Sequence, residues 1–488
     1  MSMIQGGERG LRRPVLITIL AVVTLFAGTA CGGGKTGGTA SGPPDAAQNV
    51  AGLPVTHFQS GFKANAPTPD VTVKNVTTGD DDKLATAAIV DVEKYWSTQL
   101  PANFGGQQFE PVKSLLSYDS NGAAQQSGCG STKKVVNAYY CSTDDSVNWD
   151  RGVLLPQLRQ QFGPVSVVTV LAHEFGHAIQ ARLGPQANMT KQTPTIVKEQ
   201  QADCFAGNYF RYLAEDKSQY FQVSTDEGLS QVLAAMFSIR DPAGFNNTDV
   251  QAHGTAFDRV FAFQTGFEKT PKECAAMNQQ NVQARIVEQP FAKGDQLHGQ
   301  GTAKFNETAV ADLQKSLDQA FTGVGAKAPQ ITAKDGTCPG GKSTPPATYC
   351  ADTNTVSIDM AALTRLAQPV SDDGKSAGGF GDFAAFSEIA SRYVIGVEKT
   401  ADASVDNANA GLRTACLVGA WAKATNVVGQ HLRLSPGDLD EAMTDLLQPN
   451  SLVAADANGV RPVSGFDRVA ALRNGYLQGS PVCSTTYA

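Results

Sequence analysis

Charge is sparse in this sequence: Asp, Glu, Lys and Arg make up 17% of its 488 residues, and aromatic residues only 8%. With 41% hydrophobic residues, that balance excludes a disordered chain, which would be rich in charge and poor in apolar side chains. Basic residues are in the minority, 39 against 46 acids, and the net charge of −7 argues against nucleic acid as the main partner. The 48 glycines follow no three-residue period, which excludes a collagen-like chain. No Gly-rich phosphate loop and no nucleophilic Ser or Cys motif stands out. The apolar run Val15–Ala27 is too short for a transmembrane helix.

That run has another reading. Arg9, Arg12 and Arg13 precede it, and Gly28, Thr29 and Ala30 lead from it to Cys31, the layout of a secretory signal. Simple cleavage after Ala30 would release a soluble protein; a bacterial lipoprotein signal would instead make Cys31 a lipidated first residue. Gly28 departs from the Leu usual three residues before such a Cys. Cysteine arithmetic favours lipidation, since setting Cys31 aside leaves eight of nine, an even set suited to four disulfides outside the cytoplasm. The expectation is a signal peptide over 1–30 and a lipid anchor on the outer face of the bacterial cytoplasmic membrane. Residues 31–82, rich in Gly, Thr, Ala and Pro, are expected to form a flexible tether.

The remainder carries one pattern twice. Cys129 and Cys141 are 12 apart, as are Cys338 and Cys350. Tyr140, Val147 and Asp150 line up with Tyr349, Val356 and Asp359; Cys204 and Gly207 line up with Cys416 and Gly419. Phe-Asp-Arg-Val recurs at Phe257–Val260 and Phe466–Val469, each Phe followed 17 residues later by a Cys, Cys274 and Cys483. This predicts an internal duplication, with one unit over 83–289, a connection over 290–307 and a second unit over 308–488. Both units are too long for solenoid repeats. The expected disulfides are Cys129–Cys141 with Cys204–Cys274, and Cys338–Cys350 with Cys416–Cys483.

Only the first unit holds a metal-ligating constellation. Pro164 opens a helical pattern over Val165–Leu183, ended by Gly184-Pro185, with Val168, Ala172, Phe175, Ile179 and Leu183 as its buried stripe. Within it, HEFGH sets His173 and His177 one turn apart on a common face, where two imidazoles can chelate one Zn²⁺. Glu174 beside them can take the proton of a water as it attacks a carbonyl. A salt-bridged pair of helix histidines is the bland alternative. It weakens because a second helical pattern, from Thr195 to Leu213, offers Glu199 as a third ligand and Asp203 one turn later as hydrogen-bond acceptor for a ligand His.

At these residues the sequence resembles a known family. HEFGHAIQ followed by EQQADCFAGNYF is similar to the bacterial neutral zinc metallopeptidases, and to the wider thermolysin-like group with its HExxH and downstream ExxxD. Cys129-Gly130, Tyr140-Cys141, and His253-Gly254-Thr255 before Arg259-Val260 are further matches, so the resemblance spans about Lys83–Cys274. It implies zinc ligation by His173, His177 and Glu199, a general base at Glu174, a supporting Asp203 and, by looser analogy, an oxyanion role for His253. Overall the chain resembles an actinobacterial lipoprotein peptidase. Ala178 stands where many relatives have a second His.

The second unit offers a comparison within the same chain. Opposite His173 and Glu174 stand Ser387 and Glu388, and opposite His177 stands Ser391. Gly411, Ala415 and Pro462 stand opposite Glu199, Asp203 and His253. The cysteines persist where the ligands do not, so Cys204 reads as a disulfide residue rather than a metal ligand. Trp96, Trp149 and Trp421 read as core; His57, His298 and His431 as solvated or locally bonded. One of Tyr209, Tyr212 and Tyr220 could donate to an oxyanion, although a packed Tyr is an ordinary alternative.

The expectation is therefore an α+β protein: a zincin-like domain followed by a degenerate, metal-free copy. Its function would be zinc-dependent hydrolysis of peptide bonds in a peptide or protein substrate, by a zinc-activated water and one Zn²⁺ per chain. The strand around Ser146–Asp150 is expected to pair with the extended substrate. A non-catalytic envelope binding or scaffold protein of peptidase ancestry is the alternative. Oligomeric state is left open.

Overall fold

Three aspartates, Asp80, Asp81 and Asp82, begin the first long helix, α1 (Asp80–Asn103), where negative charge complements the helix dipole. The computed structural model describes residues 49–287, 291, 304–322, 328–339, 341–369, 379–426 and 432–488. Before α1 come three two-residue strands, β1 (Asn49–Val50), β2 (Leu53–Pro54) and β3 (Gly61–Phe62). After it come β4 (Ser114–Tyr118), β5 (Gln126–Ser127), β6 (Gly130–Ser131), β7 (Ala138–Cys141) and β8 (Ser146–Asp150). Helices α2 (Leu154–Phe162), α3 (Val165–Leu183) and α4 (Thr195–Ala214) follow. The half closes with β9 (Phe221–Gln222), α5 (Glu227–Ser238), α6 (Ala256–Glu268), α7 (Pro271–Ala275) and α8 (Gln279–Gln283).

Three of these strands form a sheet ordered β4-β8-β7, with β4 parallel and β7 antiparallel to β8. Helix α3 runs through the core, touching α1, α2, α4, α5 and β7. The expected stripe of Val168, Ala172, Phe175, Ile179 and Leu183 is buried, but so is nearly every other residue of the helix. Helices α4 and α6 meet backbone to backbone: a Cβ on Gly207 would fall 2.0 Å from the Phe263 carbonyl oxygen. Only glycine permits that approach.

The C-terminal half runs α9 (Glu307–Ala320), β10 (Gln330–Ala333), β11 (Ala347–Cys350), β12 (Thr355–Ile358) and α10 (Met360–Leu366). It continues with α11 (Asp382–Thr400), α12 (Ala410–Thr425), α13 (Asp438–Leu446), α14 (Gly465–Gln478) and α15 (Ser480–Thr486). Its sheet is ordered β10-β12-β11, again with one parallel and one antiparallel pair. Disulfides join Cys129–Cys141, Cys204–Cys274, Cys338–Cys350 and Cys416–Cys483.

The halves pack α5 and α6 against α13 and α14. Continuing the Phe-Asp-Arg-Val alignment without a gap pairs Phe257 with Phe466, Gln264 with Arg473 and Phe267 with Tyr476. Across the interface Phe257 meets Tyr476 at 5.4 Å between ring centroids, and Phe267 meets Phe466 at 4.8 Å. Each contact thus recurs with its members exchanged, the pattern of a two-fold interface. Gln264 and Arg473 hydrogen-bond to each other between them.

One expectation needs correction. The described part of the supposed tether, residues 49–82, is packed onto the first half: β3 pairs with β9, Lys74 bridges to Leu116, and Val50 is fully buried. Its Thr56 and Ser60 bond Thr225 and Ser224, and its His57 pairs with Asp226. Gly and Pro here serve turns and short strands, so composition was a poor guide to mobility. The signal segment, Cys31, His298, His431 and most of the 290–307 connection lie outside the described residues. Among the described residues, no helix is long and apolar enough to cross a membrane.

Candidate active site

Helices α3 and α4 bring three donors together. His173 Nε2 lies 3.1 Å from Glu199 Oε2, and His177 Nε2 lies 3.4 Å from Glu199 Oε1. This approach depends on Gly176 inside the motif, because a Cβ there would fall 2.7 Å from both the Cα and the carbonyl oxygen of Ala202 on α4. Both imidazoles are held from behind. His173 Nδ1 is 2.7 Å from Asp203 Oδ1, and His177 Nδ1 is 3.0 Å from Gln180 Oε1, whose amide donates to the Lys198 carbonyl. Each ring therefore turns Nε2 toward the common point.

A buried ion pair supports the arrangement. Arg259 of α6 donates through Nε and Nη2 to the two oxygens of Asp203, at 2.9 Å each, and through Nη1 to the Ile239 carbonyl at 2.8 Å. Burial raises the Asp203 carboxyl, but Arg259 and His173 outweigh it, so the group is held below its ordinary value. Burial likewise opposes charge on His173, yet Asp203 and Glu199 push that ring up to about 10. His177 is raised and Glu199 lowered well below the usual range, each through the other. Two carboxylates thus surround two imidazoles in a site that favours positive charge.

Those donors fit zinc. Ligands roughly 2.0–2.2 Å from a tetrahedral ion stand about 3.3–3.5 Å apart, close to the separations found here, and imidazole with carboxylate is an ordinary zinc set. His173, His177 and Glu199 have ligand atoms all within 4.8 Å of one another. Asp382, Asp438 and Glu441 of the C-terminal half also gather within that limit, without an imidazole. Glu441 there accepts from the Phe383 N–H at the start of α11.

Glu174 is nearly buried, and its Oε2 accepts from the Tyr140 N–H at 2.9 Å. Tyr140 belongs to β7, one of the two edge strands of the sheet. The strand expected to pair with substrate, Ser146–Asp150, is instead the central strand, buried at every residue and paired on both sides. Alternation of side chains could not reveal which strand lay outermost. His253, expected in an oxyanion role, has a side chain 47% exposed, with its Nδ1 3.2 Å from Asp241 Oδ1. Tyr209 is occupied elsewhere, donating to buried Asp91 at 2.6 Å.

Gln180 and Arg259 were not singled out by sequence as parts of this site. Gln180 lies one turn after His177, a legible signal. Arg259 sits in the repeated Phe-Asp-Arg-Val and in the stretch that matches the family, but neither gave it a role; a buried guanidinium needs a carboxylate, and nothing local indicates Asp203.

The C-terminal residues aligned with this site are closed over. Glu388 Oε1 accepts from the Leu452 N–H at 2.7 Å, and Arg392 donates to the carbonyls of Leu452, Ala455 and Asp456. At Gly411, opposite Glu199, a Cβ would meet the Ala454 carbonyl oxygen at 2.5 Å and Pro462 at 2.8 Å, leaving no room for a ligand side chain.

Residues 50–277 match the model of a protein family described as "Putative neutral zinc metallopeptidase". Among similar proteins are uncharacterized proteins of Mycobacterium bovis and Mycobacterium tuberculosis, each 29% identical over 160 residues, covering 29% of this chain and 55% of the relative. The chain thus spans about half the length of the curated relatives it matches. No solved structure matches.

Proposed function

We propose that the protein is a zinc metalloendopeptidase whose active half is N-terminal. The observation that carries this reading is the convergence of His173, His177 and Glu199 beside a carboxylate, Glu174, that accepts from the backbone of the edge strand β7. When bound, zinc supplies Lewis-acid chemistry to a water and to a scissile carbonyl. Glu174 has one oxygen fixed by Tyr140, which leaves the other to take the water's proton and pass it to the leaving amine. An extended peptide would lie alongside the β7 edge, beside Glu174. Asp203 and Gln180 fix the imidazole orientations throughout.

The C-terminal half is read as a second copy that has lost the ligands. The matching sheet order, the cysteine spacings and the exchanged aromatic contacts support it. The amino-terminal segment supports export and a lipid tether at Cys31, which would present the active half to substrates outside the cytoplasm.

The test is zinc content by elemental analysis together with hydrolysis of an unfolded protein by purified residues 31–488. One zinc per chain with chelator-sensitive cleavage is expected. Bound zinc without cleavage of any peptide would favour a binding or scaffold role instead.

A further inference from the structure

The interface contacts are two-fold in pattern but not in charge. Asp440 on α13, buried in the C-terminal half, reaches across to the start of α6: its Oδ2 accepts from the Ala256 N–H at 3.1 Å and its Oδ1 from the Phe257 N–H at 3.0 Å. These are N–H groups that a helix cannot satisfy internally, and a carboxylate there also complements the helix dipole. Asp440 Oδ2 further pairs with Arg240 Nε at 3.1 Å. In the reciprocal position, at the start of α14, the neighbour is Ser230: a Cβ on Gly465 would fall 2.5 Å from its Oγ. The carboxylate therefore stands only on the side facing the metal-binding half.

What Asp440 holds is the frame around Arg259. That residue lies two positions beyond the capped Phe257, and its Nη1 donates to the carbonyl of Ile239, adjacent to Arg240. Both segments gripped by Asp440 thus converge on the guanidinium that grips Asp203, which in turn holds His173. The aligned Arg468 of α14 has no such carboxylate and bonds the carbonyls of Leu446 and Ser464.

Resting on the zinc reading above, we propose that Asp440 is a positioning residue for the metal centre, and that the C-terminal half acts on the active half through it. The second half then does more than cover an apolar face: it sets the orientation of His173 by fixing the start of α6.

The experiment measures Zn²⁺ affinity by chelator competition, alongside thermal melting, for the wild type, Asp440→Asn, Asp440→Ser and Phe466→Leu. Asp440→Ser reproduces the chemistry already found at Ser230 and keeps the proposal testable if Asp440→Asn does not fold. Both Asp440 variants should bind zinc about threefold to tenfold more weakly, within the range by which remote residues modulate a site. Phe466→Leu, which loosens the same interface away from α6's first turn, should melt earlier with unchanged zinc affinity. Wild-type affinity in a folded Asp440 variant, or equal weakening by Phe466→Leu, would overturn the proposal. A wild type that binds no zinc would overturn the reading of the site itself.

Discussion

His173 and Asp203, thirty residues apart on different helices, meet at 2.7 Å between Nδ1 and Oδ1. With that nitrogen engaged, only Nε2 is left to face Glu199. The carboxylate thereby selects which ring nitrogen is free to bind a metal.

Asp203→Asn should therefore weaken zinc binding about tenfold to a hundredfold, the usual scale for a group that orients a ligand. It keeps the shape of the side chain but removes the charge shared with Arg259. Chelator competition is the measurement, and an unchanged affinity would separate Asp203 from the site.

Glu174→Gln should leave the three donors in place and retain one zinc. Hydrolysis should fall by about a hundredfold to ten-thousandfold, the range for losing a general base. His177→Ala should instead lose the metal. Turnover near wild type in Glu174→Gln would refute the proton-transfer role.

Gly176→Ala tests the contact between α3 and α4. The added methyl collides with Ala202 backbone, so the helices must part. Overpacking of this kind costs about 1–3 kcal/mol, and here the displacement acts on the distance between His173 and Glu199. A lower melting temperature and weaker zinc binding should appear together; lower stability with unaltered zinc affinity would show that the helices absorb the methyl elsewhere.

Closing the 70-residue span between Cys204 and Cys274 contributes about 4 kcal/mol in the chain-entropy description of disulfides. Cys274→Ser should lower the denaturation midpoint accordingly. Non-reducing peptide mapping should recover all four pairs within their own halves, and a pair joining the halves would contradict the arrangement.

Asp258 supplies a pH test away from the ligands. Burial pushes its carboxyl up to about 7, opposed by Arg285 and reinforced by Asp440. Its folded value lies above the unfolded one, so its contribution is complete below about pH 4 and is lost as pH rises through about 7. Asp258→Asn stays neutral over that window. The melting temperature of the variant relative to wild type should therefore climb between pH 4 and 8; a flat difference would mean that the wild-type group is not protonated when folded.

Sequence alone determined the features set by local periodicity. Residues four apart on a helix share a face whatever the tertiary context, so the pairing of His173 with His177, and of Glu199 with Asp203, was legible at once. The disulfide partners were legible because four cysteines recur in the same order in each half, the first two at the same 12-residue spacing. The tertiary structure decided everything that depends on distant segments meeting. It made β7 rather than β8 an edge of the sheet, set His253 against Asp241, and folded residues 49–79 against the first half. It brought Arg259 and Asp440 into line behind Asp203, and filled the C-terminal cleft with Leu452–Asp456. Periodicity reports which side of an element is buried, whereas the identity of the neighbour is set by close packing of whole elements. For buried charges, that neighbour decides their role.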